Sequence, residues 1–228
     1  MNKRKSAFTL AEVLITLGII GVVAAITIPV LMAKINEQVH KTQLKKTIST
    51  LNQALKMVYN NTDTIYDCYY NPYGTTGRSS TDCKALDAEM RKVLKISHVC
   101  ETKPYEKGCI PKYKGRDTIL KERYGDDYNL DHNNKNCGGF NENAILNQNT
   151  TLVLLDGTII GYYGNNNPKY LFVDVNGNKG PNRWGYDMFV LNITTKNEGT
   201  GVAYIPECGG CGIVEKGGKT SCQMMGYK

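Results

Sequence analysis

Glu12 is the only ionisable side chain between Phe8 and Lys34, and the 20 residues from Val13 to Met32 carry no charge at all. An acid placed about one helical turn inside so apolar a run is costly. At mid-membrane the cost is on the order of 2.5–3.5 kcal/mol, falling toward the interface, so a carboxylate there calls for a partner. With no basic residue between Phe8 and Lys34, the sequence predicts that the partner comes from outside the helix. The chemistry suited to such a residue is ion pairing between chains.

Two further groups of residues have chemical potential. Asp174, Asn176 and Asn178 alternate within Asp-Val-Asn-Gly-Asn-Lys-Gly-Pro, and Asp187 returns from the next predicted strand. Oxygens spaced in this way are a candidate set for one hard cation, calcium above all. Glycine at the fourth position of the loop, and Gly185 where the closing Glu belongs, exclude an EF-hand. The competing reading is a Gly/Asn/Pro turn whose side chains cap backbone groups. Cys68, Cys83, Cys100, Cys109, Cys137, Cys208, Cys211 and Cys222 all follow the apolar run. An even count outside the cytosol reads as disulfides, with on the order of a hundred possible connectivities. Zinc at Cys208 and Cys211 lacks a second close pair, and a thioredoxin-like motif lacks the helix that has to follow it. His40, His98 and His132 are scattered, with His40 predicted on a solvated helix face. Phosphate-binding glycine loops, H-E-x-x-H and G-x-S-x-G are all missing, so no enzyme is predicted.

The elements that position these residues follow from periodicity. Twenty residues at 1.5 Å each cover about 30 Å, the depth of a bilayer's hydrocarbon core. Lys3, Arg4 and Lys5 keep the N-terminal end in the cytoplasm and send the C-terminal bulk outward. A cleaved secretory signal fits poorly, since its core is shorter and ends at a small-x-small site. Beyond Pro29, Ile35, Val39, Leu44, Ile48, Leu51, Leu55 and Val58 form one apolar stripe. The spacing predicts a helix over 8–59, about 78 Å long, ending at Asn60-Asn61.

The N-terminal residues resemble a known family. A basic leader, a small residue, then Phe-Thr-Leu-x-Glu heading an apolar helix is similar to the class III signal of type IV pilins and type II secretion pseudopilins. The resemblance implies that a prepilin peptidase cuts between Ala7 and Phe8 and methylates the new amine. Family members more often carry Gly before the cut, where this chain has Ala7. The resemblance also implies that Glu12 pairs with the Phe8 amine of a neighbouring subunit during assembly, which supplies the missing partner. Gly21 and Pro29 stand where assembled filaments of the family can unwind, although both residues are common in membrane helices generally. Some pseudopilins hold calcium in a C-terminal loop, which adds weight to the cation reading of 174–187.

Four segments are predicted: a cytoplasmic leader at 1–7, a membrane and assembly half-helix at 8–33, an amphipathic half-helix at 34–59 and a disulfide-rich head at 60–228. A second helix is expected from Thr81 or Asp82 to about Lys95, and residues 103–143 read as loop. Strands are expected at 151–155 and 158–163, around an Asp156-Gly157 hairpin turn, and at 170–175, 188–194 and 202–205. Short connections make the sheet antiparallel. The fold class is therefore α+β, a long N-terminal helix packed on an antiparallel sheet, and pilins share that layout.

The net charge of +7 falls to +4 once Lys3, Arg4 and Lys5 are removed with the leader (7 − 3 = 4). That balance is mildly basic, and most of the chain's 15 tyrosines fill the head, in a chain whose other aromatics are only 4 Phe and 1 Trp. The leading expectation is a filament subunit of a type IV pilus or a type II secretion pseudopilus. It crosses the inner membrane once before assembly and then joins a periplasmic or surface filament. Its partners are other subunits, the prepilin peptidase, the inner-membrane assembly machinery and the membrane. The alternatives are a DNA-binding competence pilin and a membrane-anchored, disulfide-rich extracellular enzyme. No cofactor is required, with calcium the possible exception.

Overall fold

The computed structural model describes residues 9–62, 79–125, 135–163, 169–197 and 200–227, with backbone alone at 79–83, 135–136, 195–197 and 200–202. The chain forms two compact units, Met1–Val39 and His40–Lys228. Helix α1 (Leu10–Thr62) contributes to both and carries Pro29 inside it. It runs through Asn60 and Asn61 rather than stopping at them. In the first unit its apolar side chains are exposed throughout, from Leu10 at 78% to Val39 at 46%. The helix is long and apolar enough to cross a membrane. Ile35 and Val39, expected to begin the buried stripe, are among those exposed residues.

In the second unit, α1 lies on a five-stranded antiparallel sheet ordered β1 (Ile96–Cys100), β2 (Thr151–Leu154), β3 (Ile159–Tyr162), β4 (Tyr170–Asp174) and β5 (Met188–Asn192). The predicted α+β layout is the observed one. Leu44, Ile48, Leu51, Leu55 and Val58 of α1 are buried with Leu86 and Met90 of α2 (Ser79–Val93). They meet Leu152, Ile160, Tyr162, Leu171, Val173, Phe189 and Leu191, which share one sheet face. Each large apolar side chain buried in this way contributes about 1.5–3 kcal/mol.

The alternate strand residues, Ile159, Phe172, Met188 and Val190, form a second cluster with Tyr113, Phe140, Ile145 and Trp184. Side chains alternate across a strand, so this cluster lies on the opposite face. Strands β2 to β5 are therefore buried on both faces, and residues 101–125 and 137–146 form much of the second cover. This corrects the reading of 103–143 as loop: the segment contains α3 (Arg116–Tyr124) and a 3-10 turn at Lys135–Phe140. Tyr113 and Phe140 of the cover pack edge-on against the Phe172 ring, with centroids 5.8 and 6.0 Å away, and that ring in turn lies across β3. At Gly161 of β3, paired with Phe172 of β4, a Cβ atom would stand 1.9 Å from the Phe172 ring.

Two local devices fix the register. The turn between β2 and β3 places Gly157 at φ +88°, and Thr158 N donates to Asp156 Oδ1 at 3.1 Å. On α1, Asn52 uses its amide as a strand edge would, donating Nδ2 to Ile205 O at 3.0 Å and accepting from Ile205 N at 2.6 Å. The residues before Ile205 form a separate hairpin, β6 (Thr194–Asn197) and β7 (Thr200–Tyr204), and a final short helix is α4 (Ser221–Met225).

Candidate functional site

The first site is the start of α1. Thr9 is the residue just before the helix, and Glu12 stands three positions on. Thr9 N and Thr9 Oγ1 each donate to Glu12 Oε2 at 2.8 Å, and Glu12 N donates to Thr9 Oγ1 at 3.2 Å. These bonds form a capping box: two of the amides that a helix N-terminus leaves without intrahelical partners are satisfied reciprocally. Glu12 therefore has uncharged hydrogen-bond partners at Thr9, in addition to the charged partner expected from a neighbouring chain. A Ser/Thr-x-x-Glu pattern ahead of an apolar run was the available signal. Ala7 and Phe8 lie outside the described residues.

The second site is the 174–187 loop. Asp174 and Asp187 are both 0% exposed. Asp174 Oδ1 accepts from Asn176 N at 3.2 Å and Gly177 N at 2.8 Å, and its Oδ2 accepts from Tyr113 OH at 2.7 Å. Asp187 accepts from Asn182 N at 2.7 Å and Arg183 N at 2.8 Å. Burial, with the Asp187 charge second, pushes the Asp174 carboxyl up to about 7. The Asn182 side-chain amide reaches both Gly177 O, at 2.8 Å, and Asp174 Oδ2, at 3.2 Å.

With its nitrogen turned inward, Asn182 donates to both of those oxygens and the loop closes on itself. With its oxygen turned inward, three oxygens converge, as they would around a cation. Asn176 donates to Gly180 O at 2.7 Å, while its own Oδ1 is buried with no hydrogen-bond partner among the described residues. Asn178 is exposed. The loop therefore brings Asp174, Asn176 and Asp187 together with Asn182, which the sequence reading missed, and leaves Asn178 at the surface. Among the described residues no three His, Cys, Asp or Glu side chains form a metal-binding group. A cation here would depend on amide and carbonyl oxygens beside the two carboxylates.

His40 is 9% exposed, and its Nε2 lies 3.3 Å from Asn176 Nδ2. The solvated position expected for it is corrected: it precedes Leu44 by one turn and shares that buried face. His98 is exposed on β1, within hydrogen-bond distance of Ser97 Oγ, and His132 lies outside the described residues.

The cysteines pair as Cys100–Cys109, Cys137–Cys211 and Cys208–Cys222. Cys208 and Cys211 thus turn to different partners, which removes both the zinc and the dithiol readings of Cys-Gly-Gly-Cys. Cys68 lies outside the described residues, and Cys83 is described by its backbone alone.

These features define an α+β head carried on a helix of membrane-spanning length, with a capped acid at the start of that helix. Residues 2–28 match the prokaryotic N-terminal methylation motif, the signal of type IV pilins and pseudopilins. In this segment the chain carries the signal of pilin- and pseudopilin-like precursors, and the motif implies processing by a prepilin peptidase and assembly with other subunits. No curated protein and no solved structure matches the chain.

Proposed function

We propose that the chain is a filament subunit with a structural role, drawn from the membrane and stacked through α1 into a type IV pilus or a secretion pseudopilus. The observation that carries this reading is the methylation motif at residues 2–28 running directly into a helix whose apolar side chains are exposed from Leu10 to Val39. Exposed apolar area on that scale requires lipid or other copies of the helix to cover it. The peptidase cuts between Ala7 and Phe8, residues 1–7 are lost, 8–33 anchors and then stacks, and 34–59 seats the head at 60–228. After the cut, the Phe8 ammonium of one subunit pairs with Glu12 of the next, which exchanges part of its capping box for a charged partner.

Mass spectrometry of assembled material tests this. A chain beginning at N-methylated Phe8 is expected, and a chain that retains Met1 or starts after Ala25 overturns the reading.

A second reading, calcium in the 174–187 loop, is favoured by the orphaned Asn176 oxygen beside the two buried carboxyl groups. Asp174, Asp187, Asn182 and the Gly177 carbonyl would hold the ion. Bound there, it would neutralise a buried pair of like charges.

A further inference from the structure

On the cover of the sheet, a groove of about 550 Å³ is lined by Lys114, Ile119, Glu122, Arg123, Arg183, Glu215 and Lys216. Four cations against two carboxylates give the lining a formal charge of +2 (4 − 2 = 2). Both carboxylates are already engaged. Glu122 accepts from Lys114 Nζ at 2.7 and 2.8 Å, and the buried Glu215 accepts from Arg183 Nε at 3.0 Å and Trp184 N at 3.1 Å.

The two guanidinium groups are held in place but only partly used. Arg183 lies 4.5 Å over the Tyr186 ring, and the Tyr186 hydroxyl donates to Lys216 O at 2.8 Å. Arg123 lies 6.0 Å over Tyr124 and spends one N–H on Val214 O at 2.7 Å. Among the described residues, the Arg123 Nε and Nη1 atoms and Lys216 Nζ have no hydrogen-bond partner, while Arg183 also bonds the Tyr186 hydroxyl and keeps only part of its donor set for a ligand. Stacked guanidinium planes with unspent parallel N–H groups match a planar carboxylate, and holding them in place beforehand lowers the entropic cost of binding.

From this geometry we infer that the groove binds a sugar bearing one carboxylate, of the uronic-acid class. Arg183, Arg123 and Lys216 take the carboxylate. Glu122 keeps unused oxygen lone pairs at the solvent side for hydroxyl groups, and the Tyr124 ring, 53% exposed, lines the adjoining pocket that shares Ile119 and Arg123 with the groove, where it offers a face to a sugar's C–H side. A polymer charged at every unit, such as a nucleic acid strand, would meet the exposed Glu122 carboxylate on its way through. The volume suits one or two sugar rings. The inference rests on the reading that the head is exported, where such polymers occur. The binding measurement needs no export, so its failure would leave the assembly reading intact.

The test is calorimetry on the full chain in detergent micelles, with a glucuronate-containing disaccharide as the probe. Its carboxyl-reduced counterpart, an oligothymidylate and tetraglutamate serve as comparisons. Saturable binding of the disaccharide is expected, at least about tenfold weaker for the reduced sugar and for Arg123→Gln. Lys216→Gln, an exposed side chain whose loss leaves the fold in place, is expected to weaken binding as well. Arg183→Gln is a poorer variant, because it strands the buried Glu215. Absent binding, equal binding of the reduced sugar, affinity unchanged in both Arg123→Gln and Lys216→Gln, or tighter binding of either comparison polymer overturns the inference.

Discussion

Asp174 and Asp187 are two carboxyl groups with no solvent exposure in one loop, and burial, with the Asp187 charge second, pushes the Asp174 carboxyl up to about 7. The folded chain holds the Asp174 proton over a range where the unfolded chain, near the ordinary value of 3.8, has released it. Stability from this group is therefore fully present below about pH 4 and is lost as the pH rises through 7. Thermal melts without calcium should show the melting temperature falling between pH 5 and pH 8 by several degrees, and Asp174→Asn should flatten that slope. If calcium binds, it competes with the proton, so adding calcium should raise the melting temperature more at pH 8 than at pH 5. A melt that calcium leaves unmoved at both pH values removes the metal reading.

The capping box gives Glu12 two separable roles. Glu12→Gln retains an oxygen for Thr9 N and Thr9 Oγ1 but loses the charge, while Thr9→Ala loses the hydroxyl and keeps the charge. Loss of a cap costs about 0.5–2 kcal/mol of helix stability. If pairing with a neighbouring amine drives assembly, Glu12→Gln should abolish filaments counted by electron microscopy, and Thr9→Ala should only reduce them. Equal filament yields from Glu12→Gln and the parent chain would leave the acid a local cap.

The disulfides should differ in weight. Cys137–Cys211 closes a separation of 74 residues, against 9 for Cys100–Cys109 and 14 for Cys208–Cys222. Loop-closure entropy then assigns roughly 4 kcal/mol to the long bridge and about 3 kcal/mol or less to each short one. Replacing Cys137 and Cys211 together by Ala should lower the denaturation midpoint more than replacing either other pair, as measured by chemical unfolding.

Gly161 tests how closely the Phe172 ring lies across β3. A methyl group there meets the Phe172 ring, so Gly161→Ala should destabilise the head by about 1–3 kcal/mol. The double variant Gly161→Ala/Phe172→Leu should recover part of the loss, because the smaller side chain makes room.

Much of this organisation is legible in the sequence where one physical signal dominates. Val13–Met32 announces its solvent by composition alone, and the alternation in β2 to β5 together with Asp156-Gly157 places four strands within a residue or two. The sequence does not give away elements whose burial is one-sided or imposed by tertiary contacts. In β1, Ile-Ser-His-Val-Cys exposes its three middle residues. In α3, Arg-Asp-Thr-Ile-Leu-Lys-Glu-Arg-Tyr buries only Arg116 and Ile119, too few to mark a face by period. His40 reads as polar and therefore solvated until the loop carrying Asn176 is laid against it. Asn182 enters the carboxylate site through a backbone at φ +56°, which no spacing rule reveals.

Strands hidden on both faces have a consequence for what the outside world meets. Over β2 to β5 the solvent meets the described part of 101–146 and the loops rather than the strands, while β1 keeps its three middle residues at the surface. Cys100–Cys109 staples that cover where it leaves β1, and Cys137–Cys211 staples its far end to the C-terminal segment. Exposed positions between the staples, such as Glu106 and Lys121, can therefore change their identity while Tyr113, Phe140 and Ile145 stay seated beneath. The architecture separates the part of the chain that keeps the fold from the part that is free to drift under selection.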